Sequence, residues 1–432
     1  MNVTASPLQV TVEARTMRKV MIRLLPLLAL MFLVNNIDRV NISFAALTMN
    51  EDLGFTTLSY AVGAGVFFIA YFIFEVPSNL IMERVGARRW MTRIMVSWGL
   101  VSGATAFVTG EKSFYAIRLL LGAAEAGLFP GILLYITYWF PEAYRARAIG
   151  LFIVTAPLSF AIAGLLSIPI LKMDGVGGLA GWQWLFILQA LPTLVLAGFV
   201  WRWMPDQPRD ARWLSADETA WLESQTTRRH ASVGVREQLR ALADKRVAML
   251  SAIYIGRTTA MYGVSLFLPL IVKAMGLSNS ATGYVSAIPF GVATVGLVLW
   301  AYSSDHTGER HWHAAVAAAL AAAGLLAAGI IGPSTWALIA ISAAAIGLYA
   351  QPAAFWPLPS TMLSVSVLGA AMAVINSVGN LGGFIGPYAV GWTQQATGGY
   401  SAGLYLLAGC AAFSAVCSIV LKYLNWEARP SL

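Results

Sequence analysis

The most constraining feature of this chain is a series of apolar stretches, each close to the length that a helix needs to cross a bilayer. Only 11% of the 432 residues are charged and 58% are hydrophobic, whereas soluble domains carry about 25% charged residues. A transmembrane helix needs about 20 apolar residues to traverse the hydrocarbon core. We therefore expect an all-α membrane protein.

Hydropathy along the sequence predicts twelve transmembrane helices, which we number as spans 1 to 12. Their expected limits are 21–47, 57–83, 90–109, 112–140, 145–170, 182–204, 246–273, 280–304, 311–331, 335–361, 366–395 and 399–424. The longest polar stretch separates six spans from six. We therefore expect a cytoplasmic tail at 1–20, a six-helix half at 21–204, a linker at 205–245, a second six-helix half at 246–424 and a tail at 425–432.

Positive charge is distributed very unevenly over the predicted loops. Of the 28 lysines and arginines, 22 lie on the side that holds both termini and the linker, three lie on the other side and three lie inside spans. Cytoplasmic loops are enriched in these residues, so we expect both termini to lie in the cytoplasm. The membrane is expected to be a bacterial inner membrane. The net charge of +8 then reflects membrane orientation, and we expect no nucleic-acid partner.

Few side chains are available for metal or covalent chemistry. Cys410 and Cys417 are the only cysteines and lie seven residues apart in the last span, so we expect neither a disulfide nor a metal site. All four histidines fall on the cytoplasmic side of the predicted topology, which removes them as proton relays at the midplane. No cofactor and no enzyme activity are expected.

Six charged side chains lie inside the predicted spans and away from the span ends. They are the acids Asp38, Glu75 and Glu125 and the arginines Arg39, Arg118 and Arg257. A charge at the bilayer centre is costly, so such residues usually face a cavity and mark a pathway for a substrate or an ion. Carboxylates can take up protons, whereas arginine keeps its own. The set predicts a central site that binds an anion and exchanges protons.

A short motif occurs twice, six spans apart and on the same predicted side. Glu83, Gly86 and Arg88 follow span 2 with the same spacing that Asp305, Gly308 and Arg310 show after span 8. Such a repeat predicts two parallel halves with a substrate site between them near the membrane midplane.

These loops resemble the signature of the major facilitator superfamily, although Glu83 replaces the usual aspartate and Asn79 the usual glycine. Further stretches are similar to the anion:cation symporter branch of that family: 36–41, 74–90, 118–127 and 213–218. The resemblance covers nearly the whole chain and is closest, in span 2, to tartrate and phthalate permeases. It implies a secondary transporter of organic anions, usually coupled to protons.

We assign Arg39 to the substrate carboxylate and both Asp38 and Glu125 to proton coupling. When the substrate takes the arginine, the carboxylate that loses its partner becomes protonated. Arg118 is expected either to pair with an acid or to bind the substrate. A structural ion pair with another helix is the alternative for Asp38 and Arg39.

Arg257 lies deep enough in span 7 to bind a second substrate carboxylate. The alternative is that its side chain snorkels towards the membrane surface or pairs with Glu75. Glu75 is expected either to gate the cavity or to carry a proton. Four more residues are expected at the cavity, three of them from the resemblance to sugar-acid members: Tyr71, Asn376, Asn380 and, in span 10, Trp356. The repeated loops are expected to stabilise one conformation through Glu83, Arg88, Asp305 and Arg310.

The sequence thus predicts a proton-coupled importer of a small organic anion that functions as a monomer in contact with membrane lipid. A tartrate-like dicarboxylate is the first choice of substrate, an aromatic carboxylate the second and a sugar acid the third. An anion exchanger or exporter, and a non-transporting sensor that signals through residues 205–245, are the alternatives.

Overall fold

The computed structural model describes residues 7–226, 243–363 and 365–424, which form helices joined by short loops. Eleven helical segments of this described part are long and apolar enough to cross a membrane. The predicted span 3 is the helix Ala87–Ala104, which is more polar because three arginines lie in its first two turns. With it, the described part of the chain contains the twelve spans that the sequence predicts.

The bounds of the helices follow the predicted limits closely. In the first half they are Pro7–Asp52 (span 1), Thr57–Val85 (2), Ala87–Ala104 (3), Glu111–Glu125 with Leu128–Trp139 (4), Glu142–Ile153 with Thr155–Leu171 (5) and Gly181–Trp203 (6). In the second half they are Lys245–Lys273 (7), Asn279–Thr307 (8), His311–Ile331 (9), Ala337–Phe355 with Leu358–Met362 (10), Val365–Asn380 with Gly382–Thr397 (11) and Ser401–Tyr423 (12).

The predicted linker contains the short helix Ala216–Gln225, with Ser215 at its N-cap position. The backbone N–H of Ser215 donates to Glu218 Oε2 at 2.9 Å. The rest of the linker from 227 to 242, which includes His230, lies outside the described residues, as does the predicted tail at 425–432.

The N-terminal end of span 1 packs on the linker helix, and this contact defines what we call the linker face of the protein. Arg15 Nε and Lys19 Nζ donate to the two oxygens of Glu218 at 2.7 and 2.8 Å. Trp139, at the end of span 4, stacks on Trp213 with ring centroids 5.8 Å apart. The ends of spans 1, 4 and 6 therefore meet on this face.

The two halves approach each other most closely at the opposite end, which we call the far face. Tyr60 Oη of span 2 donates to the backbone oxygen of Leu266 in span 7 at 2.7 Å. A Cβ added to Gly391 of span 11 would lie 2.3 Å from the Cβ of Ala61 in span 2. Only glycine permits this approach, so the halves are tightly joined near the far face.

Candidate functional site

A cavity lies between the two halves, midway along the spans and towards the linker face. It contains about 780 Å³ of space outside protein atoms, its mouth included. Eight aromatic side chains line it: Phe32, Tyr71, Phe129, Phe160, Tyr254, Tyr262, Tyr349 and Trp356. Its polar lining consists of Asn36, Arg39, Arg257, Thr258, Asn376 and Asn380. Both halves contribute, as the internal repeat predicts.

Arg39 of span 1 reaches the cavity and is paired with Glu125 of span 4. Its Nε donates to Glu125 Oε1 at 3.0 Å, and its Nη2 donates to the same oxygen. Its Nη1 donates to the hydroxyl of Tyr262, across the interface between the halves, at 3.0 Å. The guanidinium carbon also lies 5.3 Å from the ring centroids of Phe67 and Tyr71, in range of a cation–π contact.

A break in span 4 positions Glu125. Its first helix ends at this residue, and the next helix begins at Leu128. Gly127 has φ +92°, and a Cβ there would lie 2.3 Å from Ser78 Oγ, so the turn and the close approach both favour glycine. Glu125 is fully buried, and its Oε2 has no hydrogen-bond partner among the described residues. One carboxylate oxygen therefore holds Arg39 while the other is uncommitted.

Arg257 reaches the cavity from span 7 and has no acidic partner in the described part of the chain. Its Nε donates to the backbone oxygen of Leu348 at 2.8 Å, and its Nη2 contacts Met261 Sδ at 3.2 Å. Its guanidinium lies 5.5 Å from the ring centroid of Tyr254. The side chain is only 6% exposed. It does not pair with Glu75, so its charge is free to meet an anion in the cavity.

Glu75 joins the two halves through span 11. Its carboxylate accepts hydrogen bonds from Asn376 Nδ2, from Ser377 Oγ at 3.0 Å and from Asn380 Nδ2 at 3.3 Å. Both asparagines line the cavity, whereas Glu75 lies behind them. Glu75 of the first half thus contacts the second half, and these three hydrogen-bond donors are neutral side chains.

Asp38 points away from the cavity, into the first half. Its Oδ2 accepts hydrogen bonds from Trp98 Nε1 of span 3 and Thr193 Oγ1 of span 6, both at 2.8 Å. Asp38 and Arg39 are adjacent, and adjacent helical residues project about 100° apart. The structure therefore pairs Arg39 with Glu125 and gives Asp38 other hydrogen-bond partners.

Arg118 does not line the cavity either. Its guanidinium donates to the backbone oxygens of Gly63 and Ala64 at 3.2 and 3.3 Å, and it lies 5.0 Å from the ring centroid of Phe67. No direct substrate contact follows from this position. The geometry instead indicates that Arg118 links spans 2 and 4.

The repeated loops lie on the linker face. The backbone N–H of Arg88 donates to Asp206 Oδ1 at 2.8 Å, which ties the loop after span 2 to the end of span 6. Arg310 Nη2 donates to Asp305 Oδ1 of its own loop at 2.6 Å. Glu83 is exposed on the same face. Both arginines are thus bound within their own half.

Sequence reasoning missed the tyrosines of the cavity other than Tyr71. Tyr254 and Tyr262 lie on span 7 on either side of Arg257, and Tyr349 contacts Ser265 Oγ at 3.2 Å. Their spacing on span 7, two turns apart around a buried arginine, was a usable signal. Tyrosine is common in apolar cores, however, so only the direction of the side chain distinguishes a lining residue from a packed one.

A helical bundle of two halves around a central cavity with buried arginines defines a multi-pass membrane transporter, which is not an enzyme. The family model described as Major Facilitator Superfamily matches residues 28–387. The chain therefore belongs to the major facilitator superfamily and transports a small molecule.

Similar proteins agree with this assignment. A protein of Agrobacterium vitis named "Putative tartrate transporter" is 45% identical over 413 residues, covering 95% of each chain. A protein of Acinetobacter baumannii named "Quinolone resistance transporter" is 40% identical over 413 residues, again 95% of each. A solved bacterial homologue of the human lysosomal transporter Spinster, in an inward-facing and unoccupied conformation, superimposes with a TM-score of 0.76 at 18% identity, covering 99% of this chain and 100% of that one.

Proposed function

We propose that this protein imports a small organic anion together with protons across a bacterial inner membrane, acting as a monomer, with a tartrate-like dicarboxylate as substrate. The observation that carries the proposal is the Arg39–Glu125 pair at a cavity that also holds Arg257, for which the described residues provide no acidic partner. The A. vitis relative named for tartrate supports the choice of substrate.

Coupling follows from competition for Arg39. A substrate carboxylate that binds Arg39 takes hydrogen bonds that Glu125 now holds. An ionised carboxylate buried without a partner is strongly unfavourable, so Glu125 then takes up a proton. When the substrate leaves, Glu125 re-forms its pair with Arg39 and releases that proton. Substrate and proton therefore move in the same direction.

Alternating access follows from the way the halves meet. In this topology the linker face is cytoplasmic, and the packed contacts at Tyr60 and Gly391 close the cavity on the outside. Rocking of the halves would open these contacts and close the linker face. Glu75 acts as a gate, since its hydrogen bonds to span 11 must adjust when spans 2 and 11 move apart. Arg88 with Asp206, and Arg310 with Asp305, hold the loops of each half.

The two arginines favour a dicarboxylate, and the lining amides of Asn376 and Asn380 can meet hydroxyl groups. An aromatic carboxylate is the second candidate, because eight aromatic side chains line the cavity and would stack on a ring. Export is the alternative direction, and the relative named for quinolone resistance is the observation that favours it.

Uptake into proteoliposomes tests the proposal. An imposed inward proton gradient is expected to raise accumulation of a dicarboxylate such as tartrate by about tenfold, and a protonophore is expected to remove the gain. Vesicles that contain the Arg39→Ala variant, which is expected to lose substrate binding, serve as the control. If no aliphatic or aromatic carboxylate of a panel accumulates faster under the gradient, proton symport is excluded. If counterflow persists under those conditions, the protein is an exchanger.

A further inference from the structure

Asp38 is a buried charged group that the cavity does not use. It is 1% exposed, and its Oδ1 has no hydrogen-bond partner among the described residues. An ionised carboxyl oxygen needs a donor in the interior, and a protonated one needs an acceptor. Trp98 and Thr193 satisfy only Oδ2, so the other oxygen requires a group that no neighbouring side chain supplies.

One helical turn nearer the far face, each of the three surrounding spans presents another buried polar side chain. These are Asn41 on span 1, Ser102 on span 3 and Gln189 on span 6. Each is 5% exposed or less, and each has at least one polar atom without a hydrogen-bond partner in the described structure. Unsatisfied buried polar atoms are rare in native proteins, so a group of them in one place calls for a common ligand.

The register of spans 3 and 6 places these side chains at one level. A Cβ added to Gly99 would lie 3.1 Å from Thr193 Cγ2, and a Cβ added to Gly103 would lie 3.4 Å from Ala190 Cβ. The turn that carries Ser102 therefore lies beside the turn that carries Gln189. Asn41 follows Asp38 by three residues, which keeps both on neighbouring faces of span 1.

Apolar side chains separate this group from the far face. Ala45 of span 1 and Phe186 of span 6, at 0% and 1% exposure, occupy the next turn. Gln189 Nε2 reaches Ser167 Oγ of span 5 at 3.4 Å, which extends the polar group within the first half. We call this group of buried polar side chains, Asp38, Asn41, Ser102 and Gln189, the polar chamber.

We propose that this polar chamber binds a small cluster of water molecules through which Asp38 exchanges its proton, at a place separate from the substrate cavity. A buried water needs two to four polar partners, roughly what these side chains offer. The inference rests on the proposed proton coupling for its functional part. Span 1 then carries both sites, with Asp38 in the chamber and Arg39 in the cavity, so a movement of this helix links proton and substrate.

Radiolytic hydroxyl-radical footprinting tests the water directly, because bound water generates radicals beside buried side chains. Trp98 is 0% exposed, yet it is expected to be oxidised in the purified protein. Asn41→Leu and Gln189→Leu fill the chamber with apolar atoms, and we expect them to slow Trp98 oxidation by about fivefold. Equal rates in the wild-type protein and both variants would show a dry chamber and overturn the proposal.

A matched control comes from the second half, where the buried amide of Gln351 donates to Ser414 Oγ at 2.9 Å. Gln351→Leu makes the same chemical change far from the chamber and is expected to leave Trp98 oxidation unchanged. If it slows oxidation as much as Gln189→Leu does, the effect is general to buried amides and the proposal falls.

Transport measurements test whether this water takes part in proton exchange. Gln189→Leu and Asn41→Leu are expected to slow proton-driven uptake by about tenfold, while counterflow and substrate affinity stay within twofold. Reduced Trp98 oxidation with unchanged proton-driven uptake would overturn the proton-exchange role. If the wild-type protein shows no response to a proton gradient, the proposed function fails, and the footprinting result still decides whether the chamber holds water.

Discussion

The two arginines at the cavity differ in what neutralises them. Arg39, from the first half, is held by Glu125 and by the hydroxyl of Tyr262. Arg257, from the second half, contacts a backbone oxygen, a thioether and Tyr254, and it has no acidic partner among the described residues. An anion can therefore approach Arg257 without displacing another carboxylate, whereas binding to Arg39 requires Glu125 to give way. This difference is the reason why we propose that Arg257 anchors the anion and that Arg39 takes part in coupling.

The largest effect is expected for Arg39→Ala. Substrate affinity should fall by about 100-fold, which is about 2.7 kcal/mol, because the variant loses a charge-assisted contact worth up to about 3 kcal/mol. Isothermal titration with a dicarboxylate measures the change, and Arg39→Lys, which keeps the charge, is the comparison variant. Affinity within threefold of wild type for Arg39→Ala would remove this residue from the site.

Arg257→Met tests the anchoring role with a side chain of similar length. Affinity for a dicarboxylate is expected to fall by about 30-fold, or about 2 kcal/mol, and affinity for the matching monocarboxylate by less than threefold. Competition binding with the two ligands measures the ratio. Equal losses for both would mean that Arg257 does not hold a second carboxylate, and the aromatic monocarboxylate would become the better candidate substrate.

Glu125→Gln separates coupling from binding. The glutamine cannot exchange a proton, so proton-driven accumulation is expected to fall about tenfold, while counterflow stays within about threefold. Glu111→Gln, at the start of the same helix on the far face, is the matched control. Asp38→Asn is expected to behave like Glu125→Gln. Full proton-driven uptake by Glu125→Gln would place coupling elsewhere.

The smallest effect is expected for a substitution of Glu218 on the linker face, which neither cavity arginine contacts. Burial of Glu218 opposes its ionisation, but hydrogen bonds from Lys19, Ser215 and Arg15 outweigh it and lower its pKa to about 2. Because the pKa is lowered on folding, this stabilisation is present above about pH 4.5 and is lost as the pH falls towards 2.

Glu218→Gln is therefore expected to lower the melting temperature at pH 7 by about 1–2 °C and to leave transport unchanged. Thermal unfolding at pH 7 and pH 4 measures the difference, which should shrink at the lower pH. Exposed Glu223 of the same helix provides the control, Glu223→Gln. A loss of transport in Glu218→Gln would give this contact a part in the transport cycle.

Much of the fold was predictable because hydropathy and charge bias are local properties of the sequence. The span limits agree with the helices to within a few residues over most of the chain. Span 1 is an exception, since its helix begins at Pro7 and merges with the predicted tail. Arg15 and Lys19 of this helical extension bind Glu218 of the linker helix, a tertiary contact that hydropathy does not register.

The sequence by itself determined that six charged side chains lie within the spans and away from their ends, because the position of a residue in an apolar stretch can be read directly from the sequence. Tertiary structure alone decided how they are used. Glu125 pairs with Arg39, 86 residues away, while Asp38 meets Trp98 and Thr193. These partners depend on the rotation of each helix about its axis and on its neighbours. Neither quantity is encoded in the apolar character of a span.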